Sequence, residues 1–246
     1  MTNFKITIEY DGTPFSGWQV QNDCKTVQGE IEQALSRILN QSVRINGSGR
    51  TDAGVHALAQ VATFNAETGI GCRELKKGLN SLVNGPIVIH ECTRVDDDFH
   101  ARYNARAKEY HYHILNRQDP CAVGCNYLWH IQKPLDMDAM AACCDIITGT
   151  HDFKAFEGAG SPRSTTVRTI FSAKWDKRDD HRLVFKIRGD GFLRFMVRNI
   201  VGTLVLAGNG KISPREFRTI LEKQDRNRAG ATAPARGLFL VDVLYN

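Results

Sequence analysis

Apolar and polar residues alternate from the start of the chain: Phe4, Ile6, Ile8 and Tyr10 share one side of an extended segment, which Asp11-Gly12-Thr13-Pro14 stops with turn residues. From Thr26 the period changes. Val27, Ile31, Ala34, Leu35 and Ile38 recur at helical spacing and leave Glu30, Glu32 and Arg37 for the solvent side. Short strands are predicted at 42–46, 58–64 and 87–93, and a helix over 73–84 with Leu75, Leu79, Leu82 and Val83, ended by Gly85-Pro86. The remaining chain predicts strands near 108–115, 167–175, 182–188 and 238–245, and helices near 136–148, 193–207 and 213–223. The last helix carries its own start signal in Ser213-Pro214-Arg215-Glu216, where Ser caps, Pro fills the first turn and Glu reaches back to the cap amide. The run from Lys174 to Asp180 reads as a polar hairpin turn. Strands and helices mixed in this order fit an α+β fold with helices layered on one side of a sheet.

The length of 246 residues permits one large unit or two small ones, and no linker rich in Pro, Gly or Ser divides the chain. Two halves sharing an interface are expected, 1–104 and 105–246. With 42% hydrophobic and 24% charged residues, the composition excludes a disordered chain. No apolar stretch reaches the roughly 18 residues of a spanning helix, because Arg198 and Asn199 interrupt the best candidate, and the N-terminus lacks a signal-peptide layout. A cytoplasmic location is the expectation. Seven cysteines form an odd set without CxxC pairs, which argues against a disulfide framework and a zinc ribbon. Cys121 and Cys125 with His130 fall short of a ligand set, as do His111 and His113.

The net charge of +5 suits a polyanionic partner, and the placement of the charges sharpens that reading. Arg102, Arg106 and Lys108 cluster beside His100, Tyr103 and Tyr110, while Arg194 and Arg198 interleave with Phe192 and Phe195. Cations and aromatic rings together can hold phosphate and stack a base.

Between the strands at 42–46 and 58–64 lies Gly47-Ser48-Gly49-Arg50-Thr51-Asp52-Ala53-Gly54-Val55-His56-Ala57, too glycine-rich and polar for core. Taken alone it reads as a surface turn in which Asp52 caps a local amide. Its spacing is neither GxGxxG nor the Gly-Lys-Ser/Thr of a mononucleotide loop. Residues 49–56 resemble the signature of the tRNA pseudouridine synthase A family. Further resemblance runs in order through Glu9-Tyr10-Asp11-Gly12, Gly17-Trp18, Asp98-Phe99-His100-Ala101-Arg102, His151-Asp152-Phe153, Phe195 to Gly202, and Gly237 to Val241. The stretches 119–132 and 157–162 match no family motif.

The resemblance implies a cofactor-free isomerase converting uridine to pseudouridine on the 3′ side of the tRNA anticodon arm. It also implies two related halves with joined, mostly antiparallel sheets, a cleft between them, and a homodimer gripping the tRNA. Asp52 would be the catalytic aspartate, acting as nucleophile at ribose C1′ or as base at C2′, routes the sequence leaves open. Either requires an ionised carboxylate, and the resemblance gives Arg198 as its cation. Leu193, Met196, Val197, Ile200, Val201 and Leu204 form an apolar stripe that sets Arg198 on or beside an inward face, where a lone arginine is rare; a surface arginine on an amphipathic helix is the alternative. Tyr110 would contact the target uracil, though by itself it is simply a strand aromatic. Arg50 would bind RNA beside the extruded nucleotide, offsetting part of an unstacking cost on the order of a few kcal/mol. A non-catalytic RNA-binding or RNA-folding protein is the rival reading, and a hydrolase using His100, His111 and His113 with a metal is a weaker one.

Overall fold

The computed structural model describes residues 1–158, 160 and 164–245, so part of the unmatched stretch 157–162 lies outside the described residues. The chain divides into two compact units, Met1–Arg106 with Phe239–Asn246, and Ala107–Leu238. Both mix a mostly antiparallel sheet with helices, the expected α+β class.

In the first unit the strands β1 (Thr2–Tyr10), β2 (Asn46–Gly47), β3 (His56–Ala66), β4 (Ile87–Val95) and β10 (Leu238–Leu244) accompany the helices α1 (Val27–Leu39) and α2 (Cys72–Leu82). The order is β4-β1-β3-β10, with β2 added to β3. Register explains the core. Phe4 faces Phe64, their rings stacked at 5.2 Å, and Ile6 faces Ala62 and Cys92, so one side of the sheet is continuously apolar. Ile31 and Leu35 of α1 and Leu75 and Leu79 of α2 are fully buried, each worth about 1.5–3 kcal/mol of transfer free energy. Thr26 caps α1 by accepting from the Gly29 amide, and Asn40 closes it in the left-handed conformation.

The second unit contains β5 (Ala107–Asn116), β6 (Trp129–Ile131), β7 (Gly149–Asp152), β8 (Val167–Lys177) and β9 (Arg182–Gly189), with α3 (Met137–Ile147), α4 (Met196–Gly208) and α5 (Pro214–Lys223). The order is β5-β9-β8-β7, and β6 runs parallel to β5. Tyr110, Tyr112 and Ile114 oppose Ile187, Phe185 and Leu183, all buried, whereas Glu109 and His111 oppose Arg188 and Lys186 on the polar side. Buried side chains of α3, α4 and α5 complete this core, with Phe217 stacked against Phe156 at 5.7 Å.

Two expectations need correction. Only Asn46 and Gly47 of the segment 42–46 and its continuation enter the ladder. Val43 and Ile45 are buried as their alternation implies, but the Ile45 amide donates to Glu32 and its carbonyl accepts from Gln28, so helix side chains replace a strand partner. Helix α4 begins at Met196 and not near 193, because Phe195 sits at φ 61 and breaks the helical path. The short strands β6 and β7 had no clear alternation to announce them. The last strand pairs in parallel with β3 through Phe239 and Leu240, opposite His56 and Ala57.

The capping box at Ser213 and Glu216 forms as its sequence implies. Bonds from the Ser213 amide and hydroxyl hold the Glu216 carboxyl below the usual range. Its contribution is therefore full above the ordinary Glu pKa and is lost as pH falls through the depressed folded value. Glu216→Gln should lower the thermal midpoint by about 2 °C at neutral pH, and the deficit should close in acid; a melting series against pH checks it.

Candidate active site

The loop between β2 and β3 is fixed from several directions by short buried contacts. Gly47 lies against the Trp18 indole, where an added Cβ would stand 2.7 Å from ring atoms. Ser48, fully buried, donates its amide to the Val61 carbonyl at 2.7 Å and its hydroxyl to Gln60 Oε1 at 2.6 Å. Gln60 Nε2 in turn donates to the Gly49 carbonyl at 2.9 Å. Ser48 and Gln60 thus satisfy each other and the loop backbone between them.

Thr51 is the second anchor. Its hydroxyl and that of Tyr10 share a buried 2.7 Å hydrogen bond, and its carbonyl accepts from the Trp18 amide at 3.1 Å. Burial raises the Tyr10 phenol far above its usual pKa, more than the Thr51 and Gln60 hydrogen bonds lower it, so the ring stays neutral. The next residue is Asp52, half-buried, whose carbonyl accepts from the Val55 amide at 3.1 Å across a tight turn with Gly54 at φ 76. Gly12 and Gly17 admit this loop: a Cβ on Gly12 would run into the Val55 carbonyl, and Gly17, at φ 95, approaches the Thr51 carbonyl. His56 accepts from the Gly12 amide through Nδ1 at 3.0 Å and stacks on Phe239 at 4.6 Å. Arg50 and Ala53 are exposed on either side of Asp52. A carboxylate on a pinned backbone, partly open to solvent, can meet a ligand with little reorganisation.

Tyr110 and Arg198 belong to the second unit. Tyr110, on β5, is 7% exposed and meets Phe192 edge to face at 5.1 Å. Arg198, in the first turn of α4, is half-buried; its Nε donates to the Ala233 carbonyl at 2.8 Å and its guanidinium lies 5.1 Å from the Phe195 ring centre. The turn from Phe192 to Phe195 therefore touches both candidates. Tyr112, which the sequence did not single out, shares the buried face with Tyr110 and donates to the Pro234 carbonyl at 2.8 Å. Burial raises its pKa and outweighs the opposing Arg198 and Arg236 cations, so its hydroxyl remains a donor. No local pattern in the sequence marks it; Gly237 stands where a Cβ would come within 2.7 Å of the Tyr112 ring.

The remaining basic and aromatic candidates stay at the surface. Tyr103 is 78% exposed beside exposed Arg102, whose guanidinium lies 5.7 Å from its ring, and His100 packs on it at 4.4 Å. His111 pairs with Glu109 at 2.7 Å and His130 meets the Arg117 carbonyl at 2.8 Å. Among the described residues, no group of three or more His, Cys, Asp or Glu is placed to hold a metal ion.

A family model described as tRNA pseudouridine synthase matches residues 6–104 and 144–246. Similar proteins named tRNA pseudouridine synthase A occur in Acetivibrio thermocellus, 47% identical over 245 residues, and in Thermoanaerobacter pseudethanolicus, 43% identical over 245 residues. Another in Desulfotalea psychrophila, named tRNA pseudouridine synthase A 1, is 43% identical over 251 residues; each of the three alignments covers 100% of both chains.

The glycine cradle gives a prediction independent of any reaction. Gly12→Ala should displace the Val55 carbonyl and with it the turn at Asp52, lowering stability by about 1–3 kcal/mol, as overpacking commonly does. Denaturant titration of the purified variant measures the loss, and unchanged stability would show that the loop is not clamped there.

Proposed function

The chain belongs to the tRNA pseudouridine synthase family, and from that premise we propose that it isomerises uridine to pseudouridine in tRNA with Asp52 as the reacting carboxylate. The observation that carries this reading is the pinned loop, which fixes the backbone of Asp52 through Ser48, Thr51 and Val55 while leaving its side chain partly open.

The reaction breaks the bond from C1′ to N1 of uracil and forms one from C1′ to C5; N1 gains a proton and C5 loses one, with no net oxidation. As nucleophile, Asp52 would attack C1′ and release the uracil anion; as base, it would take the C2′ proton so that a glycal forms. Both begin from an ionised carboxylate. Arg198 supplies the positive charge that keeps Asp52 ionised and aligned, a role supported by the family motif and by its half-buried place at the start of α4. Tyr110 contacts the uracil ring, and exposed Arg50 binds RNA where the extruded nucleotide leaves the stack. The residues 1–104 and 105–246 act as two halves of one catalytic unit.

The finer assignments rest on the same motifs: uridines on the 3′ side of the anticodon arm as targets, a homodimer as the working form, and the cytoplasm as its location. The net charge of +5 and the exposed Arg50, Arg102, Arg106 and Arg194 suit phosphate contacts. No helix among the described residues is long and apolar enough to cross a membrane.

Asp52→Asn should lose at least ~10³-fold in turnover while binding tRNA as the parent does, because phosphate contacts supply most of the affinity. Nucleoside analysis after incubation with unmodified tRNA gives the rate, and one within tenfold of the parent would remove Asp52 from the chemistry. Arg198→Met should cut saturated turnover on the order of 10²-fold. Without the cation the Asp52 pKa rises, so activity should partly recover as pH increases. A phosphate contact at Arg198 predicts instead near-normal saturated turnover, weaker tRNA binding and a salt slope shallower by about one counterion.

A further inference from the structure

Arg198 is held by more than its own helix. Its main-chain carbonyl accepts from the Ala233 amide at 3.1 Å and its Nε donates to the Ala233 carbonyl at 2.8 Å, a two-way pairing with one residue of the segment before β10. That segment, 226–233, has no regular secondary structure beyond a short turn at Arg226–Arg228. Its position is set by side chains. Asn199, next to Arg198 and fully buried, receives the Thr232 hydroxyl at 2.7 Å and Arg226 Nη2 at 3.1 Å on Oδ1, and donates Nδ2 to the Phe156 carbonyl at 2.8 Å. Arg226 also donates Nη1 to the Gly230 carbonyl at 2.9 Å, closing the segment on itself. Thr203, one turn on from Asn199 and fully buried, accepts from the Gly230 amide at 2.9 Å. Gly202 allows the contact, since a Cβ there would run into the Ala231 carbonyl.

The 226–233 segment is therefore a strap laid along α4, bonded at Gly230, Thr232 and Ala233. With Nε committed to the strap, rotation of the guanidinium about its long axis is restricted, and its two Nη groups are set as a fork of the kind that pairs with carboxylates.

We infer that Asn199, Thr232 and Arg226 are positioning residues for the isomerisation, acting through the Ala233 carbonyl to set the orientation of the Arg198 guanidinium. The inference rests on the reading of Arg198 given above and adds to it the part of the chain that aims it. A shift of the Ala233 carbonyl by a fraction of an ångström turns the fork away from its carboxylate, and misplacements of that size are costly to turnover but not to tRNA affinity.

Thr232→Val is the probe. It keeps the shape and removes two hydrogen bonds, the donation to Asn199 Oδ1 and the 3.3 Å acceptance from Arg226 Nη2, while Asn199 Oδ1 still receives Arg226, so no buried acceptor is orphaned. Turnover at saturating tRNA should fall about tenfold with KM changed less than about twofold, and Thr232→Ser should restore it. Rates are referred to the fraction able to bind tRNA, and Arg226→Lys is the second probe should the first fold poorly. A double-mutant cycle with Arg198→Met separates positioning from general packing. If the strap acts through Arg198, Thr232→Val costs nothing further once Arg198 is gone. The same tenfold loss in both backgrounds overturns the proposal, as does parental turnover in Thr232→Val and Arg226→Lys while Arg198→Met is impaired. Parental turnover in Arg198→Met itself would remove the reading of Arg198, and the strap's role with it.

Discussion

A reacting carboxylate has to be rigid without being deeply buried, because burial alone favours its neutral form and mobility spends binding energy on ordering. On the reading proposed above Asp52 is that carboxylate, and its loop meets both demands through its backbone. Ser48 and Thr51 are buried and bonded to Gln60, Tyr10 and Trp18, while Asp52 between the second anchor and the turn at Gly54 keeps a half-open side chain. Much of the first unit serves this arrangement. Strand β1 delivers Tyr10, the loop after it delivers Gly12, Gly17 and Trp18, and β3 delivers Gln60.

On the same proposal the second unit solves a different problem, the placing of Arg198 as the cation. A guanidinium on a helix has many rotamers, and α4 alone offers no reason for one of them. The strap restricts that freedom by taking Nε, and the Phe195 ring below the guanidinium restricts it further. Phe195 itself is held at φ 61, a backbone cost that fits its place as the last residue before α4 and next to the turn that touches Tyr110. Local strain, an aromatic floor and a strap thus converge on one side chain.

The sequence makes the loop legible and leaves its support mostly hidden. Alternation in β1, helical spacing in α1 and the Ser213 box are local signals, and the corresponding elements form where those signals lie. The glycine-rich run from Gly47 to Gly54 marks a special loop, and the resemblance of residues 49–56 to one family supplies its chemistry. Non-local partners are different. Nothing near Thr232 or Arg226 announces that they bond Asn199, because these contacts join positions 27 and 33 residues apart. The parallel pairing of the last strand with β3 is equally silent, as alternation specifies a strand but not its neighbour. Val43 and Ile45 show the converse: the right residues are buried, but Gln28 and Glu32 occupy the backbone groups a strand partner would have taken.

The account stands most directly on one reaction. Incubating the protein with an unmodified tRNA transcript and separating the digested nucleosides should show pseudouridine rising as uridine falls by the same amount, with no cofactor added. Transcript that is bound at the working concentration yet returns all of its uridine unchanged would contradict it.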